Sequence, residues 1–182
     1  KDNGGTANGG QDTSLPVTFT ITVTPVNDAP TVTVIREAGC STGTSGVFKL
    51  QLADVDSPMS SLTLTGMSSN PTLVPEVQIL FGRNREFPVV LIGANPQLTT
   101  QTAIVTLTVS DGQPGGTSTT QIQVIVGTNA GQTLNGNGGV DLIFGLGGND
   151  QINAFGAIDL VCAGEGNDTI AGGAGDDTLD GQ

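Results

Sequence analysis

The chain has 182 residues and a formal charge of −12, with six Phe and no Trp, Tyr or His. That length holds one domain with a sizeable core, or two small ones. Without histidine, Ser-His-Asp, Cys-His and His-ligated zinc chemistry are excluded. The charge argues against nucleic acid or an anionic membrane as partner and in favour of cations.

Residues 1–16 are polar and Gly-rich. Val17–Thr24 (VTFTITVT) alternates as a strand, with Val17, Phe19, Ile21 and Val23 on one face and threonines on the other. PVNDAP then breaks it. Strand-like runs follow at short spacing: TVTVI, VFKLQLA, SLTLTG, VQILF, FPVVLI, TAIVTLTVS and TQIQVIV, separated by Gly, Pro, Asn and Ser turns. Seven short strands in about 100 residues is the pattern of an immunoglobulin-like sandwich. Arg83 and Arg85, in FGRNREF, read as the solvated charges of a hairpin turn. Gly127 to Gly131 reads as a hinge into a different kind of sequence.

From residue 132 a nine-residue register takes over. Asp141, Asp150, Asp159, Asp168 and Asp177 are nine apart, each followed two residues later by an aliphatic side chain: Ile143, Ile152, Val161, Ile170 and Leu179. Leu134 extends the aliphatic row backwards. The last unit, GGAGDDTLD, fits the nonapeptide of calcium-binding parallel β-rolls. Calcium wants six to eight oxygens, more than one aspartate supplies. Gly-rich turns add backbone carbonyls, expected here from Gly136, Gly145, Gly147, Gly164, Gly166, Gly173 and Gly175. Two units complete a coil, which pairs Asp141 with Asp159, Asp150 with Asp168, and Asp159 with Asp177. Eight of the acids lie beyond residue 131, where there is no Lys or Arg. The middle unit, AFGAIDLVC, has Ala154, Phe155 and Ala157 at glycine positions, and the first unit has Asn137 at one.

On these residues the region 132–182 resembles the haemolysin-type RTX calcium-binding repeats. Residues 26–127 resemble bacterial cadherin-like, immunoglobulin-like tandem repeats, through VNDAPT (26–31), ADVDSP (53–58), SSNPTLVP (68–75) and VTLTVSDG (105–112). That resemblance implies that residues 1–25 are the end of a preceding repeat. It also implies a second calcium site from Asn27, Asp28, Asp54, Asp56 and Asp111, with Glu37 as a further carboxylate. Asx turns would use the same residues without any ion. The expected fold is all-β: 1–25 a tail strand, 26–127 a sandwich, 128–131 a hinge and 132–182 a β-roll. Cys40 and Cys162 either pair in an oxidising compartment or are two unrelated small residues.

Together these features imply a calcium-binding, secreted bacterial surface protein of adhesin type, not an enzyme, whose roll folds only with calcium. Paired carboxylates also occur in glycosidases, but no Trp or Tyr is present to line a sugar cleft. Two alternatives remain. One is a self-assembling filament or matrix subunit joined by strand donation or roll stacking, and the other a non-catalytic module of a larger secreted hydrolase or toxin. Partners would be calcium, other copies of the chain or neighbouring domains. No apolar run approaches membrane-spanning length, so insertion is not expected. No secretory leader is visible, which fits a mature or excised segment, or export by a C-terminal signal outside it.

Overall fold

The computed structural model describes residues 16–41, 44–80, 88–96 and 99–181. The described chain is all-β. Seven strands cover the seven apolar runs: β1 (Thr31–Ser41), β2 (Ser45–Ala53), β3 (Thr63–Ser68), β4 (Glu76–Leu80), β5 (Val89–Gly93), β6 (Gln101–Ser110) and β7 (Thr117–Thr128). Six short strands follow: β8 (Thr133–Asn135), β9 (Asp141–Leu146), β10 (Gln151–Asn153), β11 (Leu160–Cys162), β12 (Thr169–Ala171) and β13 (Thr178–Asp180).

One sheet has the order β1-β2-β5-β4 and is antiparallel throughout. Alternation fixes its inner face, because side chains on a strand point to opposite sides. Phe48, Leu50 and Leu52 on β2 and Val90 and Ile92 on β5 are buried. The second sheet runs β13-β11-β9-β7-β6-β3 and buries Val105, Leu107 and Val109 of β6 and Ile122, Val124 and Val126 of β7 in the same core. β3-β6-β7 is antiparallel, whereas β7, β9, β11 and β13 run parallel.

The parallel part is a solenoid with an 18-residue coil. Leu160 pairs with Leu142 and Thr178, and Gln151 with Thr133 and Thr169. β8, β10 and β12 form its opposite face as a separate three-stranded sheet. The row Leu134, Ile143, Ile152 and Val161 is fully buried between the two faces, with Ile170 packed against it. Leu179, on the last described strand, is 45% exposed, since its far side has no further coil among the described residues.

The expected hinge at 128–131 is not a joint between independent bodies. β7 reaches Thr128 and pairs with β9 in the solenoid's own register, Gln123 with Asp141 and Ile125 with Ile143. β7 is therefore coil zero of the roll, and Ile125 begins the roll's inner row. Alternation does the rest. On β9 and β11, Ile143 and Val161 point into the roll, while Leu142, Phe144 and Leu160 lie in the core shared by the two large sheets. Gly46 of β2 suits this close approach, since a Cβ there would press on the methyl ends of Leu142 and Leu160, with Leu142 Cδ2 at 2.9 Å. A disulfide between Cys40 on β1 and Cys162 on β11, with Cα atoms 6.0 Å apart, clamps the first sheet onto the roll.

The expected tail strand 17–24 is also corrected over its described part. Residues 16–30 join no ladder, and Val17, Phe19, Ile21 and Val23 are exposed by 76% or more. Alternation creates an apolar face, but no strand edge among the described residues takes it. Residues 1–15, Arg83, Arg85 and the side chain of Glu37 lie outside what the structure describes.

Candidate calcium-binding site

The turns of the roll lie in two columns, one carrying Asp141, Asp159 and Asp177, the other Asp150 and Asp168. In each, a carboxylate reaches back one coil to accept a backbone N–H. Asp159 Oδ1 accepts from the Asp141 amide (2.9 Å), Asp168 Oδ1 from Asp150 (2.8 Å) and Asp177 Oδ1 from Asp159 (3.0 Å). Asp150 Oδ1 accepts from the Gln132 amide at 3.0 Å, and Asp141 Oδ2 from Asn137 at 2.8 Å. The bonds spanning 18 residues hold successive turns in register, and the one from Asn137 closes its own turn.

They leave one oxygen of four of these groups unused. Asp141 Oδ1, Asp150 Oδ2, Asp159 Oδ2 and Asp168 Oδ2 are buried and have no hydrogen-bond partner. A buried carboxylate oxygen without a donor is costly, and in a dry environment the group gives up its charge unless a cation sits beside it. Burial pushes the Asp141 carboxyl up to about 6, against a lowering from the Asn137 amide. Asp159 rises to about 7, chiefly by burial, with the Asp141 amide opposing and the charges of Asp141 and Asp177 adding to the rise. Asp150 is raised too, first by burial and also by Asp168. The basic residues of the chain, Lys1, Arg36, Lys49, Arg83 and Arg85, all lie before residue 86, so the sequence of the roll supplies no countercharge.

The turn backbone is built for stacking. Its second and fourth positions take positive φ at Gly148, Gly164, Gly166, Gly173 and Gly175. A Cβ on Gly173 or Gly175 would run into the carbonyl oxygens of Phe155 and Ala157 one coil earlier. Gly136 and Gly145 open their turns, and a Cβ on either would collide with the turn's own aspartate. Gly147 stands third in its turn and bridges to Glu165 of the next coil. The irregular middle turn keeps the same shape: Phe155 and Ala157 adopt φ of 77° and 79°, as Leu146 does at 77°. Sequence reading missed Leu146, whose signal was a leucine at the second position of its unit.

The second set of acids also converges. Asp54, Asp56 and Asp111 each bring a carboxylate oxygen within 4.8 Å of the others. Asn27 Nδ2 donates to Asp111 Oδ2 (2.8 Å), and the Asp28 amide to Asp56 Oδ2 (3.2 Å). Asp54 Oδ1 accepts from the amides of Ser57 and Asp56, at 2.7 and 3.0 Å, while its Oδ2 has no partner. Desolvation raises the Asp54 carboxyl, but these amide bonds outweigh it and leave the group below its ordinary value.

Residues 126–154 and 155–182 match the family model described as RTX calcium-binding nonapeptide repeat (4 copies). The chain carries RTX calcium-binding repeats. No curated protein and no solved structure matches it. RTX repeats bind calcium, and the residues present fit the ion. Hard carboxylate and carbonyl oxygens are what calcium selects, and the partnerless buried oxygens lie in the RTX turns themselves.

Proposed function

We propose that the chain is a non-catalytic segment of an exported bacterial surface protein, in which calcium closes the outer coils of an RTX roll docked on an immunoglobulin-like, cadherin-like sandwich. In this reading the ions are held by Asp141 with Asp159, Asp159 with Asp177, and Asp150 with Asp168, with carbonyls of the flanking turns completing each shell. The observation that carries it is the stack of carboxylates: Asp150, Asp159 and Asp168 each bind the coil before through one oxygen, and these three and Asp141 each keep a buried oxygen without a donor. Calcium supplies the missing positive charge, and its binding free energy becomes folding free energy of the outer coils. Low calcium before export and high calcium outside would then separate an open from a closed roll.

The test is hydrogen exchange of the whole chain in calcium and in chelator. Protection of β10, β12 and β13 should fall on chelation. Identical exchange of these strands in both conditions would sink the reading. The Asp54, Asp56 and Asp111 cluster, with Asn27 and Asp28, is read as a second calcium site at the base of the 16–30 segment. There the D54N variant should lower calcium uptake without touching the roll. A second reading, adhesion or assembly through Val17 to Val23, draws on the exposure of that apolar row. An exposed strand-forming segment adds to the open edge of another sheet. Sedimentation in calcium tests it: association should vanish in the F19D/I21D variant.

A further inference from the structure

Each column of acids, followed back one more coil of 18 residues, ends on glutamine. Gln123 pairs with Asp141 across β7 and β9, and Gln132 stands 18 residues before Asp150 and donates its amide N–H to it. We propose that Gln132 is the terminator of its calcium column, its side-chain amide standing where the repeat otherwise places a carboxylate oxygen. The proposal rests on the calcium reading above and concerns where the row of ions stops.

The equivalence is geometric. Gly145 and Gly172 open their turns, and a Cβ on either would run into a carboxylate Oδ2, of Asp150 and Asp177. Gly127 opens the turn 127–132, and a Cβ on it would run into Nε2 of Gln132. The side chain six positions into the turn has thus kept its place and inverted its polarity. Gln132 Nε2 donates to the carbonyls of Thr128 (3.3 Å) and Gly145 (3.4 Å), while Oε1 accepts from Thr100 Oγ1 (2.7 Å) and Thr128 Oγ1 (3.4 Å). Carbonyls only accept, so the NH2 end must face them, and the two hydroxyls hold the amide in that orientation. Calcium needs oxygens around it. Here the carbonyls of two successive turns are already occupied by N–H groups carrying partial positive charge. The amide links turn to turn without any ion. At the head of the other column the side-chain amide of Gln123 instead accepts, from Asn137 Nδ2, and makes the same link without an ion.

The experiment is calcium stoichiometry by equilibrium dialysis on the whole chain, comparing wild type, Q132D and Q132A, with circular dichroism to follow folding. Q132D should take up one more ion per chain than wild type. Q132A, which supplies no carboxylate, should keep the wild-type number. Q132D with the wild-type number, or Q132A with one ion fewer, overturns the proposal, the second because Gln132 would then itself be a ligand. If Q132D does not fold, Q132A decides alone: an unchanged number supports the proposal and a loss overturns it. Wild type that takes up no calcium in the roll refutes the calcium reading instead, so the two failures are distinguishable.

Discussion

The Phe144→Ala variant tests whether roll and sandwich are one body. Phe144 sits on β9, a roll strand, yet is 1% exposed and lies in the core with Phe48, Leu50 and Ile92 of the opposite sheet. Truncating a fully buried phenylalanine costs about 3–5 kcal/mol through lost burial and the cavity left behind. Against a typical domain stability of about 5–15 kcal/mol, that is a large share. Because the cavity opens in the shared core, the loss should be felt in β2 and β5 as well as in β9, β11 and β13. Hydrogen exchange in calcium, read by mass spectrometry on peptides covering 45–53 and 89–93, measures it directly. Ile152→Ala is the contrast. Ile152 is equally buried but belongs to the inner row of the roll, so its loss of about 2–5 kcal/mol should appear first in β8, β10 and β12. Wild-type protection of β2 and β5 in Phe144→Ala, with β9 to β13 exchanging freely, would refute the shared core and restore two bodies on a hinge.

Three other outcomes follow from particular contacts. The Cys40–Cys162 bond closes a sequence separation of 122 residues, so the C40S/C162S variant should lose up to about 5 kcal/mol by loop-closure entropy; an unchanged urea midpoint would contradict this. In chelator, the calcium-free fold should gain stability as the pH falls from 8 towards 5. Asp141 and Asp159 titrate at about 6 and 7 when folded against 3.8 ordinarily, so the folded state takes up more protons in that window and the gain levels off below about pH 4; a melting temperature that drops between pH 8 and 5 would refute it. Ala157→Gly should stabilise the calcium-loaded protein by about 0.5–1 kcal/mol, since Ala157 holds a φ of 79° that glycine adopts without penalty; a lower thermal midpoint would speak against stored strain there.

Much of the roll was legible because its signal is periodic. The step of nine from Asp141 to Asp177 and the aliphatic row from Ile143 determine coil length, inner face and stacking partners together. Gln132 and Gln123 were legible by the same arithmetic, one coil back, but a search for aspartate stops at the last aspartate. The seven runs before residue 128 declared themselves as strands by alternation. What alternation cannot reveal is the partner of a strand. Val17 to Val23 alternates as cleanly as β6, yet joins no ladder, because pairing depends on an edge elsewhere in the fold. The continuity of β7 with β9 escaped for a related reason: Gly127 to Gly131 has hinge composition, and only the identical 18-residue offset on both sides betrays one sheet. The disulfide joins positions too far apart in sequence for any local pattern to connect.

The order of these parts along the chain bears on how the roll closes. A solenoid coil is unstable alone, since it needs a neighbour to pair its strands and cover its inner row. Here the first neighbour is β7, held by β6 on its other edge, so the first coil pairs with a strand already anchored outside the roll. Its junction is held by neutral groups: Leu142 and Phe144 in the shared core, and the side-chain amides of Gln123 and Gln132. Carboxylates begin to face carboxylates only one coil further out, at Asp141 with Asp159 and Asp150 with Asp168. Repulsion between carboxylates therefore opposes propagation, while the burial of Asp141 already weighs on the first coil. In the reading proposed above, calcium acts at these carboxylate pairs. Each added coil closes the same short 18-residue loop, so its entropic cost does not grow with distance from the sandwich. Docking by apolar contact and growth by ion are in this way assigned to different residues of the same sheet.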